Sequence, residues 1–96
     1  MKIDFNKNEG NLSVVLDGRL DTVTAPDLER FLAENYANIS FLAIDCERLV
    51  YLSSAGLRVL LAAQKKMKGA MKLKNVNKLV MEVFEMTGFV DILVIE

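Results

Sequence analysis

Apolar and polar positions alternate at the start of the chain. Ile3 and Phe5 stand between polar neighbours, Asn8-Glu9-Gly10-Asn11 follows, and an apolar run resumes from Leu12 to Leu16. A period of two broken by a turn-forming cluster predicts a β-hairpin. Asp17-Gly18 is expected to end the second strand. At Thr24-Ala25-Pro26-Asp27 the signals become those of a helix start, with Thr24 as N-cap, Pro26 in the first turn and Asp27 three residues on. Leu28, Phe31, Leu32 and Tyr36 then recur at helical spacing, which buries one stripe and ends the helix near Tyr36 to Asn38.

Phe41 to Cys46 is an apolar run without alternation. Such a run suits a central strand covered on both faces. After Glu47 to Leu52 come Ser53-Ser54-Ala55-Gly56 and then Leu57, Val59, Leu60, Leu61, Ala62 and Ala63, a second helix with Lys65 and Lys66 in its last turn and Gly69 closing it. Met71 to Val76 predicts a short strand. Asn77 is placed to cap a third helix striped by Leu79, Val80, Val83 and Phe84, with Gly88 just past its end. Phe89 to Ile95, apolar and β-branched, predicts a last strand. The resulting order, ββαβαβαβ, is that of one α/β domain over residues 1–96, a mixed sheet with helices packed mainly on one side.

Composition narrows the chemistry. The chain is 52% hydrophobic and 26% charged, with a net charge of −1, so it has core enough to fold and no overall field to attract nucleic acid. No histidine occurs, which removes the commonest general base and the usual zinc ligand. The lone Cys46 adjoins the apolar run and reads as a small core residue. Glycines never form a G-x-G-x-x-G or a P-loop, and the methionines are spread over several elements, so neither motif implies a cofactor, and none is expected. The N-terminus has no apolar signal segment and no run approaches the roughly 18 apolar residues of a membrane span, so the expectation is a cytoplasmic protein that does not insert into membrane.

The informative stretch is Asp45 to Arg58, a strand, a short loop and a helix start carrying Ser53 and Ser54. From the residues alone, one of these serines caps the helix and Gly56 permits close packing. The alternative is that Ser54 is a phosphate acceptor, because the free N–H groups and positive dipole end of a helix favour an anion. Arg19 and Arg58 flank that position. Each is either a solvated surface residue or a partner for phosphate. Val50-Tyr51-Leu52, just before it, reads as a partner-facing patch or as core.

Three motifs in order make the chain resemble the STAS domains of bacterial anti-sigma factor antagonists over nearly its whole length. They are Gly18-Arg19-Leu20-Asp21 with Thr22 and Ala25, Leu52-Ser53-Ser54-Ala55-Gly56-Leu57, and Met86-Thr87-Gly88-Phe89. The resemblance implies partner switching, without catalysis by the domain itself. The unmodified antagonist binds an anti-sigma factor that is also a serine kinase, which frees the sigma factor. Phosphorylation by that kinase ends the binding, and a separate PP2C-type phosphatase restores it. By position, Ser54 corresponds to the phosphorylated serine, and Ser53 departs from the aspartate of the D-S-x-G form. Asp21 corresponds to an acidic residue that neighbours the phosphoserine and contacts the partner, with a turn-forming aspartate as the plain alternative. The implied partner surface comprises Asp21, Thr22, Ser53, Ser54, Gly56 and Arg58, with no metal ligand among them.

Two other functions compete. One is a non-phosphorylated STAS subunit of a larger transporter or sensory assembly, to which the departure at Ser53 points. The other is a serine hydrolase built on Ser54 at a strand-to-helix turn, which the lack of any histidine argues against.

Overall fold

The expected hairpin forms from β1 (Lys2–Asn8) and β2 (Asn11–Leu20), paired antiparallel from Lys2↔Asp17 to Asn8↔Asn11. Its loop is the two residues Glu9 and Gly10, with φ of 50° and 89°. Positive φ at both positions gives a turn whose twist matches the strands, and glycine reaches such angles without steric cost. The computed structural model describes all residues 1–96.

Four further elements follow the expected order: α1 (Ala25–Asn35), β3 (Phe41–Asp45), α2 (Ser54–Lys66) and β5 (Met71–Lys74). A 3-10 turn over Tyr36–Asn38 completes α1. Two elements differ from the sequence reading. Strand β2 does not stop at Asp17-Gly18; its pairing shifts register between Gly18 and Arg19, and Gly18 to Leu20 run parallel to an additional short strand, β4 (Leu49–Leu52). After α3 (Lys78–Thr87), Gly88 adopts the left-handed conformation expected just past a helix end, but Phe89–Asp91 is a 3-10 turn. Of the expected last strand only Ile95 pairs, in a parallel bridge with Leu73.

The sheet runs β1-β2-β3-β5, with β4 joined to β2, and every pairing except β1–β2 is parallel. Register sorts the side chains into two faces. Leu12, Val14, Leu16, Leu42, Ile44, Met71 and Leu73 point to one face and are buried beneath Leu28 and Leu32 of α1, Leu57 and Leu60 of α2, and Val80 and Phe84 of α3. At the β1 edge of this face Phe5 meets Phe31 with ring centroids 5.0 Å apart.

On the other face Ser13, Val15, Phe41, Ala43, Asp45, Lys72 and Lys74 are exposed or only half-buried. β3 is central, between β2 and β5, but it is not covered on both sides as its composition suggested. Its burial alternates, and Phe41 is tolerated on the open face beside the Lys72 ammonium, 5.9 Å from the ring centroid. The helices therefore lie on one side of a mixed sheet. Every buried side chain is apolar, so any polar chemistry is confined to the surface.

Two side-chain amides tie distant segments together. Asn77 caps α3 as expected, its Oδ1 accepting from the Val80 N–H at 2.9 Å. Its Nδ2 also donates to the carbonyls of Cys46, Glu47 and Leu49, the last at 2.7 Å, fixing the β3–β4 turn that delivers β4. Gln64 on α2 donates to the Ile92 carbonyl and accepts from the Val94 N–H at 3.1 Å. It thereby holds the C-terminal segment beside β5, where the Leu73 N–H donates to the Val94 carbonyl and the Glu96 N–H to the Leu73 carbonyl. No helix is long and apolar enough to cross a membrane.

Candidate functional site

The extra strand decides where the candidate residues meet. Because β4 lies parallel to the end of β2, with Arg19 opposite Tyr51 and Leu20 opposite Leu52, the two strands finish side by side. Each then turns into a helix. The Ser53 N–H donates to the Leu20 carbonyl at 3.0 Å, which sets the start of α2 against the loop Asp21–Thr24.

That loop is tied to itself. The Asp21 carboxylate accepts from the Val23 N–H at 3.0 Å and the Thr24 N–H at 3.1 Å. The Thr24 hydroxyl accepts from the Asp21 N–H at 2.9 Å and donates to the Arg19 carbonyl at 2.7 Å. Thr24 holds the N-cap position of α1 as expected, but with its hydroxyl thus engaged its side chain makes no capping bond to the helix. Asp21 serves both as a turn-former and as a half-buried acid at the surface. Its carboxyl is held below the usual range chiefly by the Thr24 N–H, with smaller help from Val23, the Thr24 hydroxyl and Arg19, against desolvation. Arg19 is itself committed: its guanidinium lies 4.1 Å over the Tyr51 ring, and its Nε is 3.5 Å from Asp21 Oδ2.

The start of α2 is held differently. Ser53 has extended backbone, and its Oγ accepts from the Gly56 N–H at 3.3 Å, so Ser53 is the N-cap. Ser54 is the first helical residue. It is exposed, and its hydroxyl makes no hydrogen bond to the rest of the protein, with no side-chain base upon it. Gly56 is buried where a Cβ would sit 2.7 Å from Leu20 Cγ and 2.9 Å from Leu52 Cδ1. Only glycine lets α2 rest this closely on the ends of β2 and β4, the close packing anticipated from the sequence.

Arg58 stands one turn after Ser54, exposed and without an ion pair. With Thr22, Pro26, Glu29 and Ala55 it lines a groove of about 340 Å³ between the two helix starts. A larger groove of about 660 Å³ continues along α1 and α2 between Tyr36 and Lys66. The six candidates Asp21, Thr22, Ser53, Ser54, Gly56 and Arg58 thus fall on one end of the domain. Sequence reasoning missed Glu29 and Val23 there, the latter 81% exposed in the loop. It left Val50-Tyr51-Leu52 undecided; Val50 and Tyr51 are exposed and Leu52 is core. The pattern of an apolar residue in a tight turn, as at Val23, was the available signal.

Cys46 lies in the core, where burial pushes its thiol up to about 12, aided by Asp45, so it is an inert packing residue. No cluster of three or more His, Cys, Asp and Glu side chains is placed to hold a metal ion.

Fold and junction together define a one-sided α/β domain that displays a free serine at a strand-to-helix turn. The sequence profile of the STAS domain matches residues 2–96, and the chain belongs to that family. It is 36% identical over 96 residues to BtrV of Bordetella bronchiseptica, named as a candidate anti-sigma factor antagonist, covering 96% of this chain and 83% of that one. It is 30% identical over 96 residues to the anti-sigma-B factor antagonist of Bacillus subtilis, covering 97% and 88% of the two. Among solved structures, the Bacillus cell fate determinant SpoIIAA in its phosphorylated form superposes with a TM-score of 0.77 at 15% identity, over 99% of this chain and 91% of that one. That last likeness is one of fold.

Proposed function

We propose that the protein is an anti-sigma factor antagonist that acts in the cytoplasm by partner switching. Unmodified, it binds an anti-sigma factor serine kinase and so releases a sigma factor. Phosphorylation of Ser54 by that kinase ends the complex, and a PP2C-type phosphatase reverses the modification.

The observation that carries this reading is the state of Ser54, exposed, unbonded and first in α2 beside the Asp21 loop. A kinase needs an accessible hydroxyl that no internal bond withholds. The docking surface is formed by Asp21, Thr22, Ser53 and Arg58 around it, whereas Gly56, expected on that surface, is buried against Leu20 and Leu52 and only sets how closely α2 approaches the strands. A phosphate adds about 1.5 to 2 negative charges at neutral pH. Placed beside the ionised Asp21, it meets any acidic or apolar partner surface with repulsion and desolvation cost, so release needs no rearrangement of the fold. The departure at Ser53 leaves this logic intact, since the serine hydroxyl supplies the cap that an aspartate would supply.

Incubation with ATP and the anti-sigma kinases of the same genome, followed by mass spectrometry, tests the proposal, with Ser53→Ala and Ser54→Ala proteins alongside. Phosphate on Ser54 that weakens kinase binding is the expected result. If no kinase binds or modifies the chain, the subunit of a larger transporter or sensory assembly becomes the better reading.

A further inference from the structure

Two arginines stand near Ser54, and their surroundings differ. Arg19 is stacked at 4.1 Å on Tyr51 and leans on Asp21, so moving it would break two contacts. Arg58 has neither an aromatic partner nor an ion pair. Both Ser54 and Arg58 belong to α2, four residues apart, so their side chains rise from the same face. At that spacing Cβ atoms are about 5 to 6 Å apart, within reach of a guanidinium, and an acid N-terminal to a base is the favourable orientation.

We infer that Arg58 is the residue that receives the phosphate once Ser54 is modified. This rests on Ser54 as the phosphorylated position. The charged groups around it are Asp21 in the loop, Arg19 on β2, Glu29 on α1 across the groove, and Arg58 itself. Asp27, in the first turn of α1 two residues before Glu29, is paired with Arg30 at 3.5 Å. Two of the neighbours are therefore acidic, one cation is engaged elsewhere, and Arg58 is the cation left to answer a dianion. A guanidinium forks two N–H groups onto phosphate oxygens, which an ammonium cannot do.

The pairing has a consequence for switching. In the unmodified chain Arg58 borders the groove shared with Thr22, Pro26 and Glu29. Drawn onto the phosphate, its guanidinium leaves that border, and Glu29 faces an incoming partner without a cation opposite. Phosphorylation then alters the surface twice, by the anion it adds and by the cation it withdraws.

The test places phosphoserine at position 54 during translation, so that no kinase is needed, and follows the phosphate's second ionisation by ³¹P NMR. The comparison is among the otherwise native chain, Arg58→Gln, Arg58→Lys and Arg19→Gln. Removing Arg58 is expected to raise that pKa, ordinarily about 6, by about half a unit, with partial recovery in Arg58→Lys and little change in Arg19→Gln. High salt should shrink the difference. Equal values with and without Arg58 overturn the inference, as does a larger shift from Arg19→Gln. Should no kinase modify Ser54 while the ³¹P difference holds, the switching proposal fails and the pairing stands.

Discussion

The two strand-to-helix junctions at this end of the domain share a frame and differ in finish. Both follow parallel strands whose last residues are paired, Leu20 with Leu52. At the first, two of the three polar side chains of the loop are used internally: Asp21 binds two backbone N–H groups, and Thr24 bridges Asp21 and Arg19, while the Thr22 hydroxyl is exposed. At the second, a single side-chain bond from Ser53 caps the helix, and the next hydroxyl is left unused. A loop tied by its own hydrogen bonds thus stands beside a helix start with a free hydroxyl. Both are built from the same few residue types, Ser, Thr and Asp, so their roles come from bonding and not from identity.

Substitutions should separate the two junctions. Ser54→Ala is expected to abolish phosphate uptake while moving the thermal midpoint by no more than about 2 to 4 °C, since exposed sites without partners change stability by under about 0.5 kcal/mol. Ser54→Asp should weaken kinase binding at least roughly tenfold, measured by calorimetry, because even one added charge meets the docking surface. Unchanged affinity for Ser54→Asp together with full uptake in Ser54→Ala would dismiss Ser54 as the switch.

Gly56→Ala comes next and acts on the shared frame. Its new methyl would lie 2.7 Å from Leu20 Cγ and 3.0 Å from Leu20 Cδ2, so both junctions must spread. Overpacking of this kind costs about 1 to 3 kcal/mol, to be read from the urea midpoint. A neutral result would mean that α2 can ride away from the strands freely.

Ser53→Ala should cost about 1 kcal/mol through loss of the cap, and Ser53→Asp should recover it. The smallest effect is expected at Asp21→Asn, seen as a change in pH dependence. The folded carboxyl ionises more readily than the unfolded one, whose value is 3.8. Its contribution is therefore complete above about pH 4 and is lost as pH falls through the lower folded value. Asp21→Asn should flatten this acid limb of a thermal melt series; an unaltered limb would show that the loop does not depend on the charge.

Much of this arrangement was legible from residue pattern. The hairpin and the three helices follow from periodicity, Asn77 and Gly88 marked helix ends correctly, and β3 is central as expected although the two-sided burial from which that was inferred is absent. β4 was not legible, because four residues with the burial order buried, exposed, exposed, buried give no period of two, and its partner lies some thirty residues earlier. The two-sided burial expected of Phe41 to Cys46 failed because Phe41 and Ala43 occupy an open face that composition alone does not reveal. The last segment carries strand-forming residues, yet the turn after Gly88 leaves Ile95 as its one pairing position. Thr24 matched a capping signature, but its hydroxyl is claimed first by Arg19 and Asp21. The candidate site residues were found by motif, and their meeting depends on β4, which was not foreseen.

The amide of Gln64 bears on a different matter, the exposed edge of the sheet. A parallel sheet that ends in a four-residue strand such as β5 presents a row of unpaired backbone groups to any other chain that arrives extended. By gripping Ile92 and Val94, Gln64 keeps a piece of the same chain on that row, while Lys72 and Lys74 hold charge beside it. Loss of that amide would weaken the latch and leave the two backbone bonds of Leu73 and the Lys72–Glu96 ion pair to hold the segment, so Gln64 is one of several contacts that deny this edge to another chain, made from a helix whose opposite end carries the serine.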